Sequence, residues 1–469
     1  MTKSKLRRMM LMALATAGNA HASVDLVATG EMDGHLHDRS AQTAAPLENG
    51  VAGNLLGGIG SGLAYAGCDT FLALPDRGPN ATTYNPRVDD TASYIDRFHT
   101  LDMKLVTSQK GAPLPFALTP QLRDTTLLFD PFYLYYGNGR SVDLPSGRPR
   151  LDRPFRHYFT GRSDNAVPSM NSAWPLNARL DPESIRVSAD GHTVYICDEY
   201  GSYVYAFGRK SGQRTAVYPL PEAFRVARVA PTGDDEIALN ASGRLANKGM
   251  EGLAITPDGR TLYGSMQSPL IQDGGKSASV IRIVKIDLRT HHVSQYAYTL
   301  TNIGKPTKPK YGTVSEIVAV NDHQLLVDER DGNGFGDDSE AGFKHIFLID
   351  LKDAVDVGKL QGEAPLTGVA VPKVNFLDVL ATRNEHGVAA ADVPAKLEGL
   401  AFGPDIKQNG KLRHTLFVST DNDFLPTVTD DLHLRGADNP NRFYVFAFDA
   451  QDLPGYRPQH FDHLRCDHH

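Results

Sequence analysis

The chain has 469 residues, of which 41% are hydrophobic and 22% are charged, a composition typical of a globular protein. This length is too great for one ordinary compact domain but is normal for a β protein built from repeats. The formal net charge of −7 argues against non-specific binding to nucleic acid, which requires a basic surface.

Residues 1–22 have the features of a cleavable signal peptide. The basic stretch KSKLRR precedes the apolar run MMLMALATA, and Ala20-His21-Ala22 fits an A-x-A cleavage site. We predict cleavage after Ala22 and a periplasmic or secreted location. Arg7-Arg8 leaves the general and twin-arginine export routes both open. No later apolar run reaches about 18 residues, so we predict no membrane span.

The chain contains three cysteines, Cys68, Cys197 and Cys466. In an oxidising compartment an odd number leaves at least one thiol unpaired. One disulfide is therefore possible, and the spacing does not select the pair.

A repeated strand pattern follows. The stretch NKGMEGLAITPDGRTLYGSM around Glu251 reads as an apolar strand, a Pro-Asp-Gly turn and a second apolar strand, which is the signal of a β-hairpin. Related stretches surround Glu183, Glu316 and Glu398, and the first one, IGSGLAYAGCDTFLALPDRGP, has Ser61 in place of the glutamate. A second apolar hairpin follows most of these units, which predicts four antiparallel strands per repeat.

Four-stranded units that recur along a chain predict an all-β protein with a β-propeller fold. We expect six blades, with seven as the alternative and an array of β-sandwiches as the competing architecture. The propeller would span residues 23–462 as one domain, and the strand VDLVATGEM would close the ring against the last blade. Residues 111–180 break the pattern and are predicted to be an irregular, arginine-rich insertion or an atypical sixth blade. The histidine-rich end, residues 463–469, is predicted to be a mobile tail.

The first strand of each propeller blade lines the central channel, so equivalent residues of these strands converge near one mouth. We predict that Glu183, Glu251, Glu316 and Glu398 form a ring there. Facing carboxylates repel one another unless a cation or arginines lie among them. Ca²⁺ is the predicted ion because it prefers six to eight oxygen ligands. The alternative is a structural role in which the glutamates accept hydrogen bonds from backbone amides.

The ends of the second strands supply a second polar ring. Acids beside arginines suit a site in which carboxylates exchange protons and guanidinium groups bind an anionic substrate. The alternative is a set of ion pairs at loop tips. The predicted catalytic residues are Asp76, Asp198, Glu199 and Glu329, and the predicted substrate-binding residues are Arg77, Lys248, Gln267, Arg330 and Asp421.

The irregular segment concentrates basic and aromatic residues in a chain that is acidic overall. Eight arginines lie between residues 121 and 180, with Tyr133, Tyr135, Phe155 and Trp174 among them. The arginines are consistent with two interpretations, an anion-binding site or a solvated loop that balances the charge of nearby acids. The aromatic residues are expected to form either a lid over a pocket or the small core of the loop.

Five motifs in this order resemble the phytase-like family described as "esterase-like activity of phytase". They are GGIGSGLAY with LPDRGP, LDPESI with CDEYG, NKGMEGLAITPDG, VSEI with LLVDER, and LEGLAFGP with STDND. The resemblance implies an exported bacterial β-propeller that hydrolyses phosphoesters or carboxyl esters. It extends more distantly to calcium-dependent propeller phytases and gluconolactonases, which implies metal ligation by Glu183, Glu251 and Glu398. Ser61, Ser184 and Gln267 depart from the repeat, so the ring is not fully charged.

The sequence thus predicts an exported hydrolase that acts on a small anionic or ester substrate at a metal-assisted site in the channel mouth. A phosphomonoester is the first expectation and a lactone or carboxyl ester the second. The alternative from a different class is a propeller without enzymatic activity that binds a ligand or a partner.

Overall fold

The computed structural model describes residues 24–462 and Cys466. The predicted signal peptide lies outside these residues, as does the predicted tail apart from Cys466. Most of the regular structure is β-strand. The α-helices of the described residues are short: α1 (Gly233–Ala238), α2 (Glu363–Thr367) and α3 (Val379–Asn384). None of them is long and apolar enough to cross a membrane.

The strands form antiparallel sheets that are the blades of a propeller. Strand β1 (Asp25–Met32) is the first element of the described residues and joins the last blade. Blade 1 contains β2 (Gly62–Tyr65), β3 (Thr70–Leu74), β4 (Arg97–Asp102) and β7 (Gln121–Leu127), and the short pair β5 (Leu105–Thr107) and β6 (Phe116–Leu118) lies between its last two strands. The ribbon of β8 (Phe129–Asp130) and β9 (His157–Tyr158) follows.

The remaining blades follow one another along the chain, each beginning with its innermost strand. Blade 2 contains β10 (Pro182–Val187), β11 (Thr193–Asp198), β12 (Tyr203–Gly208) and β13 (Arg214–Pro219). Blade 3 contains β14 (Met250–Ile255), β15 (Thr261–Met266), β16 (Val280–Asp287) and β17 (Val293–Thr299). Blade 4 contains β18 (Thr313–Ala319), β19 (Gln324–Arg330), β20 (Lys344–Asp350) and β21 (Lys373–Asp378). Blade 5 contains β22 (Leu397–Phe402), β24 (Lys411–Thr420), β27 (Asn441–Phe448) and β1, with β23 (Ile406–Gln408) paired to β24. The small ribbon of β25 (Thr427–Val428) and β26 (Ala437–Asp438) completes the list.

The inner strands form a closed ring. Neighbouring inner strands pack side by side in the order β2, β10, β14, β18, β22 and back to β2. The propeller class is therefore confirmed, and β1 closes the ring as predicted by pairing with β27. The expected number of six blades is wrong, because the described residues form five. Residues 111–180 make no separate blade: residues 116–118 form β6, residues 121–127 supply the outer strand of blade 1, and residues 128–180 connect blades 1 and 2.

The hydrophobic core lies between neighbouring blades. All six residues of β14 are buried, since an inner strand has a blade on each side. Leu253, Ile283 and Val327 of blades 3 and 4 belong to one buried cluster. The outer strand β13 is only partly buried, because one of its edges borders solvent. The alternating apolar positions of the sequence thus become the contacts between sheets.

One disulfide joins Cys68, between β2 and β3, to Cys466 near the end of the chain. The two cysteines are 398 residues apart in sequence. Cys197, on β11, is a buried free thiol. The disulfide holds the end of the chain against blade 1, so the predicted mobile tail is attached at Cys466.

Candidate functional site

A polar cavity of about 320 Å³ lies at one mouth of the channel. The first residues of the inner strands, the residues that follow the second strands and the loops before the inner strands form its wall. It is lined by Asp76, Arg77, Glu183, Glu199, Asn247, Lys248, Glu251, Gln267, Ile303, Lys310, Tyr311, Thr313, Arg330, Asp331, Gly332, Lys396, Glu398 and Asp421. Most of the predicted site residues are in this list. Asp198, Glu316 and Glu329 are not.

The register of the inner strands explains which glutamates reach the cavity. Each of β10, β14, β18 and β22 has a β-bulge near its start. Glu183, Glu251 and Glu398 lie two residues before an apolar residue that is paired with the second strand. In β18 the corresponding apolar residue is Ile317, so its equivalent position is occupied by Ser315. The expected equivalence of Glu316 with the other glutamates is therefore wrong by one residue.

A one-residue shift along a strand turns a side chain to the other face. Glu316 accordingly points into the channel below the cavity, where it meets Arg186 of blade 2 at 3.0 Å. It also accepts hydrogen bonds from the Ser184 hydroxyl at 2.7 Å and from the Leu253 amide at 2.9 Å. Burial raises the pKa of Glu316 to about 7, although Arg186 opposes this shift.

The guanidinium of Arg186 lies at the centre of the channel. It donates to the backbone carbonyls of Leu63, Ile185, Ile317 and Leu400, at 2.6 to 3.2 Å, which belong to the inner strands of four blades. We call Arg186 and Glu316 the channel plug. It closes the floor of the cavity and ties the blades together.

A side chain at or just after the end of each second strand also faces the cavity. In blades 2 to 5 these residues are Glu199, Gln267, the last residue of β19 (Arg330) and Asp421, and Arg77 takes this place in blade 1. The Asp76 carboxylate before Arg77 accepts the Gly78 amide at 2.9 Å, as Asp198 accepts the Tyr200 amide at 2.9 Å. The five blades thus place five side chains, two of them arginines, at the mouth.

Three buried carboxylates converge on the side of the cavity formed by blade 2. Asp181, Glu183 and Glu199 each contribute one oxygen atom, and these atoms lie within 4.8 Å of one another. We call them the acidic triad. The Arg77 guanidinium forms an ion pair with Asp181 and lies 3.6 Å from Glu199. Among the residues that the structure describes, Glu183 has no hydrogen-bond donor within reach of its carboxylate.

The electrostatics of the triad favour an added positive charge. Burial, followed by repulsion from Glu251, raises the pKa of Glu183 well above its usual value. Burial and Asp181 raise the pKa of Glu199 to about 7, against the opposing effect of Arg77. A bound cation would displace the protons from these carboxyl groups, because metal ligands must be deprotonated.

Glu251 occupies the next blade and is held at one oxygen only. Gln267 donates to its Oε1 at 2.5 Å, and Lys248 donates to the Gln267 carbonyl at 3.0 Å. The other oxygen, Oε2, is buried without a partner in the described part of the chain. Burial, together with Glu199 and Glu398, raises the pKa of Glu251 well above its usual value.

The opposite wall consists of ion pairs. Arg330 donates to Glu398 at 2.5 Å and to the Ser315 hydroxyl at 2.8 Å. Lys396 donates to Asp421 at 2.8 Å and also pairs with Asp423. Because these cations lie beside it, the negative charge of the Glu398 carboxylate is compensated, whereas that of Glu183 is not.

Asp198 and Glu329 lie behind the cavity wall. Asp198 accepts the amides of Asp181 and Tyr200 at 3.0 and 2.9 Å, so it organises the backbone that carries the triad. Glu329 accepts the Tyr298 hydroxyl at 2.6 Å and forms an ion pair with Lys373 at 2.5 Å. The Tyr298 contact joins blade 3 to blade 4, and the Lys373 ion pair lies within blade 4. Neither faces the cavity.

Sequence reasoning did not single out Asp181 or Lys396. Each stands two residues before a cavity glutamate, in Asp181-Pro-Glu183 and Lys396-Leu-Glu398. Alternate residues of an extended chain face the same side, so this spacing was the available signal.

The fold and the site define a five-bladed β-propeller with a polar cavity at one channel mouth. The chain belongs to the phytase-like family described as "Esterase-like activity of phytase", whose model matches residues 54–424. The motifs of the sequence indicated this family, and the match confirms it.

The individual proteins that resemble this chain have a low sequence identity to it. An "Uncharacterized secreted protein" of Arthroderma benhamiae is 27% identical over 448 residues, which cover 80% of this chain and 84% of that protein. The periplasmic gluconolactonase PpgL of Pseudomonas aeruginosa is 13% identical, with 83% of this chain and 89% of that chain covered and a TM-score of 0.31. A protein from Lactobacillus plantarum is 10% identical, with 82% and 87% covered and a TM-score of 0.28.

Proposed function

We propose that this protein is an exported hydrolase that cleaves small phosphoesters in the channel-mouth cavity. The observation that carries the proposal is the acidic triad beside Arg77, of which Glu183 and Glu199 line a cavity of about 320 Å³. Membership of a family described by its esterase-like activity supports ester hydrolysis. The disulfide and the secreted relative support an extracellular or periplasmic location.

The acidic triad fits a hard divalent cation such as Ca²⁺. All of its donors are oxygen atoms, which is the set that Ca²⁺ prefers. Within the described part of the chain, Glu183 lacks a hydrogen-bond donor, and the partnerless Oε2 atom of Glu251 is a separate sign of missing positive charge. When bound, such a cation polarises a phosphoryl or carbonyl oxygen and lowers the pKa of water.

The cationic side chains around the cavity would bind the phosphate. The Nε atom of Arg77 has no hydrogen-bond partner among the described residues. Lys248 donates to Gln267, and an ammonium group has three N–H bonds, so it retains donors for a substrate oxygen. Guanidinium and ammonium groups at these places stabilise negative charge as it develops on the phosphoryl oxygens.

Glu251 is our choice for the group that exchanges a proton with water or with the leaving oxygen. Gln267 fixes the Oε1 atom of Glu251, and the Oε2 atom has no partner among the residues that the structure describes. A general acid or base needs this combination of fixed orientation and a free oxygen. Asp76 lines the cavity as well and is the second candidate, whereas Asp198 and Glu329 are assigned structural roles.

A lactone or carboxyl ester is the second candidate substrate. Seven carboxylates and five cationic side chains line the cavity, and this excess of acids favours a substrate with little negative charge. A propeller that only binds its ligand is the third possibility, in which the triad would hold a structural cation.

One experiment separates these functions. The purified protein is offered p-nitrophenyl phosphate, phytate, p-nitrophenyl acetate and a sugar lactone, with Ca²⁺ and with a chelator. We expect turnover of the phosphomonoester with Ca²⁺ and a loss of about 100-fold or more in Glu183→Gln and in Glu251→Gln. Glu340→Gln, at an exposed glutamate, is the matched control. Turnover of the lactone or acetate alone would move the assignment to the second candidate, and no turnover of any compound would overturn the hydrolase.

A further inference from the structure

The segment between blades 1 and 2 exposes an unusual number of aromatic rings. The exposed fractions are 74% for Phe132, 50% for Tyr133, 42% for Tyr135 and 81% for Phe155. Apolar groups of this size are commonly buried, and a cluster of them on a surface indicates a contact with another partner. We call this region, residues 132–156, the aromatic–arginine surface.

Phe155 is presented at the tip of a tight turn. The backbone groups of Arg153 and Arg156 bond to each other in both directions, at 3.1 and 2.9 Å, and Phe155 between them has a φ of 63°. This left-handed conformation disfavours side chains with a Cβ atom. The sequence Arg-Pro-Phe-Arg therefore holds a ring outward in a conformation that glycine or asparagine would adopt more easily.

Phe132 projects from the same end of the ribbon. In that ribbon, Asp130 of β8 pairs with His157 of β9; Phe132 follows Asp130 by two residues and Phe155 precedes His157 by two. Arg214 of blade 2 forms an ion pair with Asp130 at 2.5 Å, which anchors the ribbon to the propeller. The two exposed rings therefore stand on a fixed base.

The charge around these rings is positive, although the whole chain carries −7. Residues 132–156 contain five arginines and two acids, Asp143 and Asp152. Asp152 is engaged by Arg148 at 3.2 Å. Arg148 and Arg156 also lie over the rings of Tyr133 and Phe129, at 5.8 and 4.4 Å.

We propose that the aromatic–arginine surface docks the protein onto a lipid bilayer that carries anionic headgroups. The Phe132 and Phe155 rings would enter the boundary between headgroups and acyl chains, as aromatic residues do in peripheral proteins. The arginines would pair with lipid phosphates in a bidentate manner. A sugar polymer fits this surface less well, because phenylalanine rings carry no polar edge. Asp152 could accept hydrogen bonds from sugar hydroxyl groups, but it already forms an ion pair with Arg148.

Trp174 makes this proposal directly testable. It is the single tryptophan of the chain, it is partly exposed, and its ring lies 4.8 Å from that of Tyr135. The full mature chain is mixed with vesicles of phosphatidylcholine containing about one third phosphatidylglycerol, and with phosphatidylcholine alone. We expect co-sedimentation with the anionic vesicles only, release at high salt, and quenching of Trp174 by brominated lipid.

Variants localise the contact. Phe132→Ser with Phe155→Asn is expected to lower partitioning about tenfold, and asparagine suits the left-handed turn. Arg150→Glu with Arg153→Glu is expected to lower it by at least about 25-fold, since each basic residue near an anionic surface contributes about fivefold. Leu434→Ser and Val374→Ser are matched controls, because these apolar side chains are 77% and 66% exposed on other blades.

Three outcomes would overturn the proposal. The first is no binding to anionic vesicles at low salt. The second is binding that the phenylalanine and arginine variants leave unchanged. The third is retention on a sulfated polysaccharide column without any vesicle binding, which would assign the surface to an acidic glycan. None of these measurements depends on hydrolase activity.

Discussion

The channel plug offers the sharpest test of how this propeller is held together. We predict that Arg186→Met, which keeps a long apolar side chain but removes all five donors, destabilises the protein strongly. The substitution leaves the Glu316 carboxylate in the closed channel without its cation. It also removes the hydrogen bonds to carbonyls on the inner strands of four blades.

The size of the effect follows from burial. Arg186 and Glu316 are 4% and 0% exposed, and removing one partner of a buried ion pair costs about 3–5 kcal/mol. Glu316→Gln alone should cost only about 1–2 kcal/mol, because Arg186 keeps its four carbonyl partners. In a protein that already carries Arg186→Met, adding Glu316→Gln should lower the stability little or even raise it. The two substitutions should therefore couple by about 2 kcal/mol.

Urea denaturation of the four proteins in a double-mutant cycle measures this coupling. The pH adds a second readout. Because the pKa of Glu316 is raised in the folded state, to about 7, its contribution to stability declines as the pH rises from the unfolded value of 4.5 towards 7. Without Arg186 the pKa rises further, so the decline continues above pH 7 at about 1.4 kcal/mol per unit. Additive effects within about 0.5 kcal/mol, or a loss for Arg186→Met that is equal at pH 6 and pH 8, would refute this reasoning.

Three further results are expected. Ca²⁺ at about 100 times its dissociation constant should stabilise the fold by about 2.7 kcal/mol, or about 3 °C in Tm, and Glu183→Gln should abolish the shift; an equal shift in that variant would contradict the triad as the site. Cys68→Ala with Cys466→Ala should cost about 6 kcal/mol from the entropy of so large a loop, and a scanning calorimetry profile identical to that of the oxidised protein would contradict this. Lys373→Met should cost about 3 kcal/mol by leaving Glu329 unpaired, with kcat unchanged in the phosphatase assay; a large fall in kcat at normal stability would return Glu329 to the catalytic residues.

Much of this architecture could be predicted from the sequence, because a propeller repeats one strand pattern and brings equivalent residues to one place. The hairpin around Glu251 folds as expected, with β14 and β15 joined at the Pro257–Gly259 turn. Arg77, Glu199 and Gln267 meet at the mouth for the same reason. The strand pattern within each blade determines these features, so contacts with the other blades are not needed to predict them.

Features that depend on distant contacts were not predictable in this way. The outer strand of blade 1, β7, is separated from β4 by the β5–β6 ribbon, so its pattern looks like a separate element. Aligning the repeats on their glutamates misplaced Glu316, whereas the buried position Ile317 sets the register. The pairing of Cys68 with Cys466 depends on ring closure, which the spacing of cysteines does not reveal.

Strand β1 also bears on how the protein is made. Its partner, β27, lies more than 400 residues further along the chain, so the first strand to be synthesised must wait for almost the last one. Blades 2, 3 and 4 consist of consecutive strands and can assemble as synthesis proceeds, but blade 5 cannot be completed until β27 has been made. The Cys68–Cys466 disulfide has the same timing, and its formation marks the molecules in which the ring has closed. An interrupted chain therefore retains an open ring with an unpaired β-strand edge, the form that quality-control proteases and chaperones recognise.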